Sequence, residues 1–250
     1  MDTNMNDDDD SDVILMGAND NVTDDMILPF ALQESHLRGR IVRLGSVLDE
    51  ILIPHAYRQP VAQLVGEAVT LTLLLGGMLK YDGVFTLQAQ GEGPVRLVVA
   101  DLTSDGALRG MATIDTEKCD ALMGKNGDVV GLRATDTTYD LGTLMGPGHL
   151  AFTVDQNDAA DRYQGIVELN AVDLATSVQH YFAQSEQIET ILKVACGFSN
   201  GAYRAGGIMI QRLPLPTDAL PDAVDAADDH WNRARAFIDT CSRDELIRES

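Results

Sequence analysis

The stretch HYFAQSEQI, residues 180–188, crowds His180, Tyr181, Ser185 and Glu186 into nine positions. These are the side chains of nucleophilic and general acid–base chemistry, provided that they converge. On an α-helix they do not. His180 and Ser185, five residues apart, sit about 140° from one another around the axis, and the adjacent pair Ser185 and Glu186 also diverges. The stretch therefore reads as the end of an amphipathic helix, with Val178, Tyr181 and Phe182 turned inward and Gln184, Ser185 and Gln187 near its exit. It is not a triad.

The other candidates for chemistry fail one by one. His36, His55, His149 and His230 show neither H-x-H nor H-x-x-x-H spacing. Gly91–Gly93 (GEG) opens like a dinucleotide loop, but Pro94 and a strand follow where a helix is required, so it reads as a hairpin turn. DQNDAADRYQGI, from Asp155, places Ala159, Ala160 and Ile166 where a calcium loop needs a ligand, a glycine and a glutamate. Cys119, Cys196 and Cys241 are far apart and form no C-x-C or C-x-x-C pair. They read as small buried hydrophobes rather than as a zinc site, a dithiol or a disulfide framework. No G-x-S-x-G, P-loop or zinc-hydrolase pattern occurs, so the reading is that of a non-enzyme with no cofactor of its own.

Charge narrows the partners. The chain carries 39 acidic and 18 basic residues, a net of −21 over 250 residues. The first 37 residues hold ten of the acids and neither Lys nor Arg, which leaves a body with 29 acids against 18 bases. Such a surface repels a phosphate backbone, which argues against nucleic acid. The beginning, MDTNMNDDDDSD, lacks the basic and apolar regions of a secretory signal. Ala68–Leu79 is too short and too interrupted to span a membrane. A soluble, cytoplasmic protein is expected. Residues 1–23 read as a disordered acidic tail, and DDDD lacks the spacing and turn glycine of a calcium site.

The elements that must carry any site follow from periodicity. Order is expected from about Asp24, with a strand over 39–44 and a short helix in VLDEILIPH. Pro60 suits a helix start, and VAQLVGEAVTLTLLLGGMLK follows with helical spacing, apolar on most sides and so expected at the centre of the core. VFTLQAQ, RLVVAD and ALRGMATI alternate with period two and are joined by turns too short for crossover helices, which implies an antiparallel meander. Residues 116–147 resist reading. HLAFTVD and YQGIVELN are further strands, and a helix over 173–187 has Asp173 at its N-cap. ETILKVACG and AYRAGGIMIQRL pair around the turn Ser199–Gly201. A Pro- and Asp-rich linker is expected over 215–224, then a helix over 229–250 with Trp231, Ala234, Ile238 and Cys241 on one apolar face. That face needs a surface to cover it: the core, a second chain or something outside. The fold class is α/β (α+β): mainly antiparallel sheets packed with helices, plus a short helical extension from 225 to 250.

Several stretches carry a resemblance. LRGRIVRLGSVLDEIL, PVAQLVGEAVTLTLLLGGMLKYDGVFTLQAQGEGPVRLVV, LRGMATI, RYQGIVEL, HYFAQSEQI and RAGGIMIQRLP resemble, in order, the Hsp33 family of redox-regulated holdase chaperones, across about residues 24–214. The resemblance implies an α/β core domain over 24–214, a helical linker region, and a zinc domain whose four cysteines come as C-x-C and C-x-x-C. In that family oxidation releases the zinc, the linker region loses its structure, and apolar surface becomes available to unfolding clients. This chain ends within what resembles the linker helices and has neither cysteine pair. A structural zinc site is worth about 10–16 kcal/mol of folding free energy, so no metal residue is carried over. Either this is a shortened form of a longer protein or it is a relative without the thiol switch.

The resemblance thus implies an ATP-independent holdase core that binds unfolded or misfolded polypeptides through apolar surface. Trp231, Ala234, Phe237 and Ile238 are the candidate client-binding or switch surface, although ordinary packing onto the core would use the same face. The alternative is a dimerising or scaffolding module, a homodimer that exchanges its C-terminal segment.

Overall fold

The computed structural model describes residues 25–122, 139–156, 162–169 and 172–248. The expected acidic tail, and residues 157–161 of the calcium-like stretch, lie outside the described residues. In chain order the elements are β1 (Met26–Leu32), β2 (Leu37–Leu44), α1 (Ser46–Leu52), α2 (Gln59–Gly76), β3 (Gly83–Gly91), β4 (Val95–Thr103) and β5 (Leu108–Ile114). There follow α3 (Thr116–Leu122), α4 (Leu141–Met145), β6 (Gly148–Gln156), β7 (Tyr163–Glu168), α5 (Leu174–Tyr181), β8 (Thr190–Ser199), β9 (Ala202–Arg212), α6 (Pro221–Thr240) and α7 (Arg243–Ile247). Two sheets form, both antiparallel throughout: β1-β2-β9-β8 and β5-β4-β3-β6-β7.

α2 is the axis of the molecule. It starts with Pro60 in its first turn, where the missing N–H has no helical partner to lose, and every residue from Pro60 to Gly76 is buried. It packs against β2, β8 and β9 of one sheet and β3, β4 and β5 of the other. Apolar residues all round a helix predict this, since no face is left for water. Thr70 and Thr72 return their hydroxyls to the carbonyls of Gly66 and Ala68 at 2.8 Å, so they sit in the core without an unmet donor. Arg40 of β2 donates to the carbonyls of Leu73 and Gly77 at the end of α2, a cation on the negative pole of the helix.

The four-stranded sheet is apolar on both faces, and period two sorts its side chains. Leu192, Val194 and Met209 join the central core around α2, whereas Ile191, Ile208 and Ile210 belong to a second apolar cluster with α6. The two glycines of RAGGIMI serve opposite faces. A Cβ on Gly207 would lie 2.9 Å from side-chain atoms of Thr70, Leu74 and Val194, and one on Gly206 would lie 2.0 Å from the carbonyl oxygen of Leu246 in α7.

Four expectations change. β1 was unforeseen because Pro29 interrupts MILPFAL; the strand lies at the sheet's outer edge, where a proline is tolerated. The helix from Asp173, whose side chain does cap it by accepting from Thr176 N, ends at Tyr181, and Phe182–Glu186 wind as a π turn. Pro221 begins α6, so residues 221–224 of the expected 215–224 linker are helical. The single helix expected to 250 stops at Thr240, because Ser242 and Glu245 form a capping box that starts α7. Cys241 lies between the two helices, off the apolar face. Elsewhere the meander, the strands β6 and β7 and the β8–β9 turn at Asn200–Gly201 agree with the reading.

Gly207→Val should lower unfolding free energy by about 1–3 kcal/mol through overpacking against α2, measured by urea denaturation. No loss would mean that the α2–β9 contact has slack.

Candidate functional site

Trp231, Ala234 and Ile238 follow helical spacing along α6 and pack on the outer face of the four-stranded sheet. Trp231 and Ile238 are only 5% and 7% exposed, in a cluster with Leu37, Ile191 and Ile210, flanked by Phe30, Ile208 and Ala234. Phe237 does not join them. At about 100° per residue it falls roughly 90° off the centre of that stripe, and it is 75% exposed. Ala227, Trp231 and Ile238 are the buried residues of α6, against seventeen consecutive ones in α2.

Polar bonds hold the rest of the cover. Lys193 of β8, on the same side of its strand as Ile191, donates to the carbonyls of Ile238 (3.3 Å) and Asp239 (3.2 Å) at the end of α6. Arg212 bridges Glu189 (2.9 Å) and Asp228 of α6. α7 approaches the sheet across Gly206 and Gly197, and Arg243 reaches inward to the carbonyl of Cys196 (3.2 Å) and to Glu67 Oε1 (3.0 Å).

Glu67 is the residue that sequence reasoning missed. It sits midway along α2, 1% exposed, where it also accepts a hydrogen bond from the Tyr139 hydroxyl. Burial pushes its carboxyl up to about 7, against the downward pull of Arg243 and Tyr139, while Asp173 adds a smaller upward push. Burial and the facing carboxylate raise Tyr139 well above its ordinary range. Burial likewise pushes the adjacent Cys196 thiol up, which makes it a poor nucleophile.

The residues of HYFAQSEQI have a different role. A π turn closes i to i+5, so Tyr181 and Glu186 come to one side. Glu186 Oε1 accepts from Tyr181 Oη at 2.7 Å and from Tyr163 of β7. Those two bonds hold the Glu186 carboxyl below its usual range, and burial raises Tyr181. The trio edges a groove of about 390 Å³ at the end of α2, with Leu75, Leu79, Phe85 and Phe152 in its walls. A carboxylate that accepts from two phenols that hold their protons tightly is a brace, and neither His180 nor Ser185 takes part.

The three cysteines do not make a zinc set. Cys119 is on α3, Cys196 lies inside β8 against Gly66, and Cys241 follows α6. Among the described residues no three His, Cys, Asp or Glu side chains are grouped to hold a metal. Among them, too, no helix is long and apolar enough to cross a membrane.

Two antiparallel sheets closed around one buried helix define a protein of α/β build. The family model described as Hsp33 protein matches residues 25–250. The 33 kDa chaperonin of Caulobacter vibrioides (strain NA1000 / CB15N) is 38% identical over 230 residues, 90% of this chain and 71% of the relative. That of Ectopseudomonas mendocina (strain ymp) is 37% identical over 218 residues, 87% of this chain and 66% of the relative. The crystal structure of the 33 kDa chaperonin (heat shock protein 33 homolog) of Thermotoga maritima superposes with a TM-score of 0.64 at 23% identity, covering 82% of this chain and 75% of that one. The chain belongs to the Hsp33 family of chaperones.

Because Glu67 holds its proton more tightly folded than unfolded, its contribution to stability is full below the ordinary range near 4.5 and is lost as pH rises through about 7. Arg243→Ala should therefore cost about 1 kcal/mol near pH 5, where a hydrogen bond to a neutral carboxyl is lost. The cost should grow to about 3 kcal/mol near pH 8, where a buried carboxylate loses its cation. Urea unfolding at both pH values measures this. An equal cost at both would mean that Glu67 does not feel Arg243.

Proposed function

We propose that the chain is an ATP-independent holdase in which α6, with α7, is a displaceable cover over the outer face of the four-stranded sheet. The observation that carries this reading is the second apolar cluster. It is separate from the central core, and one whole side of it is Trp231, Ala234 and Ile238. Lifting α6 opens two matching apolar surfaces at once: the sheet face of Leu37, Ile191, Ile208 and Ile210, and the helix stripe itself. An unfolding polypeptide that covers them gains about 25 cal/mol per Å² of apolar area buried. Phe237, exposed in the covered state, offers a first contact.

The balance of forces supports opening. Full burial of one large side chain is worth about 1.5–3 kcal/mol, so Trp231 and Ile238 together supply a few kcal/mol. Fixing the helix opposes that gain at roughly 1–2 kcal/mol per residue, less what its own hydrogen bonds return. α2 stays buried whether α6 is docked or not. The acidic surface, with a net charge of −21, keeps a loaded chaperone in solution, and the cytoplasm is the compartment this reading assigns. The clients are unfolded or misfolded proteins.

The test is light scattering from a heat-unfolding client under reducing conditions. The chain should suppress aggregation, and Trp231→Ala, which weakens docking of α6, should suppress it several-fold more per mole. Suppression by neither protein, together with a concentration-dependent dimer in sedimentation, would favour exchange of the α6–α7 segment between two copies instead.

A further inference from the structure

α2 stops at Gly76, and beyond its end the groove of about 390 Å³ takes its walls from both sheets. Leu75, Met78, Phe85, Phe152 and Phe182 line it, and Leu79 stands at its edge, 46% exposed. A concave apolar site with a few polar groups to orient its guest is the usual form of a small-molecule pocket.

The charged groups of the groove are sorted by what engages them. Glu186 is held by the phenols of Tyr163 and Tyr181. Arg38 of β2 turns Nε and Nη2 to a neutral acceptor, Gln211 Oε1, at 3.2 and 2.9 Å. Lys80 also lines the groove, and among the described residues neither Lys80 nor Arg38 makes an ion pair. Asp82, the carboxylate nearest to Lys80 in sequence, accepts from Ser104. A third cation lies behind Arg38. Arg40, two residues along and so on the same face of β2, is 9% exposed. It donates to the carbonyls of Leu73 and of Gly77, the residue before Met78, while its Nε has no partner among the described residues. Burial lowers its pKa, with no carboxylate opposing. The carbonyls at the end of α2 answer part of this charge, and a ligand anion would answer the rest.

We propose that the groove binds one straight-chain carboxylate, its head at Arg38 and Lys80 and its tail along Leu75, Met78, Phe85, Phe152 and Phe182. Size and sign both select this class. A methylene fills about the space of a water in the liquid, roughly 30 Å³, so 390 Å³ holds about a dozen non-hydrogen atoms, the size of decanoate. A two-tailed lipid is too large, and a neutral alcohol leaves the cations unanswered. The site lies on the α2 side of β2 and β9, whereas Trp231 and Ile238 cover the other side. It therefore stands or falls independently of the holdase reading.

Calorimetric titration of the full chain with sodium decanoate near pH 8 tests this. One decanoate should bind per chain, and each methylene removed, in nonanoate and then octanoate, should weaken binding about four-fold. Arg38→Gln combined with Lys80→Gln should weaken decanoate about ten-fold and leave decanol unchanged. Leu79→Glu, at an exposed position that the fold tolerates, should abolish binding of both. Trp231→Ala should bind decanoate as the parent does. Several decanoates per chain, equal loss of decanol and decanoate in the double variant, or weaker binding in Trp231→Ala would each overturn the proposal. So would displacement of decanoate by an unfolded client, which would assign the groove to clients instead.

Discussion

A carboxylate placed in the middle of a fully buried helix must find donors there, or give up its charge, or pull the helix apart. Glu67 finds two. Tyr139 and Arg243 lie 72 and 176 residues further along the chain, so one side chain ties the deepest element, α2, to the last helix, α7. The rest of the architecture is arranged around the same helix. Two antiparallel sheets close over it, Arg40 caps its end, and Gly207 lets β9 lie against it. Charge at Glu67 is desolvated and only partly compensated, which is why its carboxyl rises to about 7. The bond to Arg243 therefore places the terminal helix without being a source of large net stability.

That asymmetry separates two layers. Around α2 the core is continuous and includes both sheets. Outside the four-stranded sheet is a smaller cluster that needs α6 to complete it. The sheet is apolar on both faces but shares only one with the main core; its second face is completed by α6 alone. For a family of chaperones this is a serviceable design: the surface that would otherwise invite aggregation is masked by a segment of the chain itself. The glycines of RAGGIMI express both layers in adjacent residues, Gly207 turned toward α2 and Gly206 toward α7.

Much of this was legible from local pattern. A helix that is apolar all round can only be central, strands with period two and short turns can only form antiparallel sheets, and both readings hold. What escaped was non-local or hidden by a breaker. Pro29 concealed β1, because edge position is a tertiary fact. Glu67 carried no sign of its partners, since neither lies near it in sequence. Tyr181 and Glu186 diverge on an α-helix and meet only because the chain winds through a π turn. Two misses had a readable signal. The spacing of Ser242 and Glu245 marks a new helix start, and the angle of Phe237 from Trp231 sets it outside the stripe of Trp231, Ala234 and Ile238.

Trp231 is the sole tryptophan of the chain, so its fluorescence reports the contact between α6 and the four-stranded sheet. A urea titration followed by Trp231 emission and by far-ultraviolet circular dichroism tests the central claim, that the cover leaves before the core. The account predicts that Trp231 emission shifts to the red at a lower urea concentration than that at which most of the secondary structure is lost. Coincident transitions would mean that α6 and the core unfold as one cooperative unit, and the displaceable cover would be contradicted.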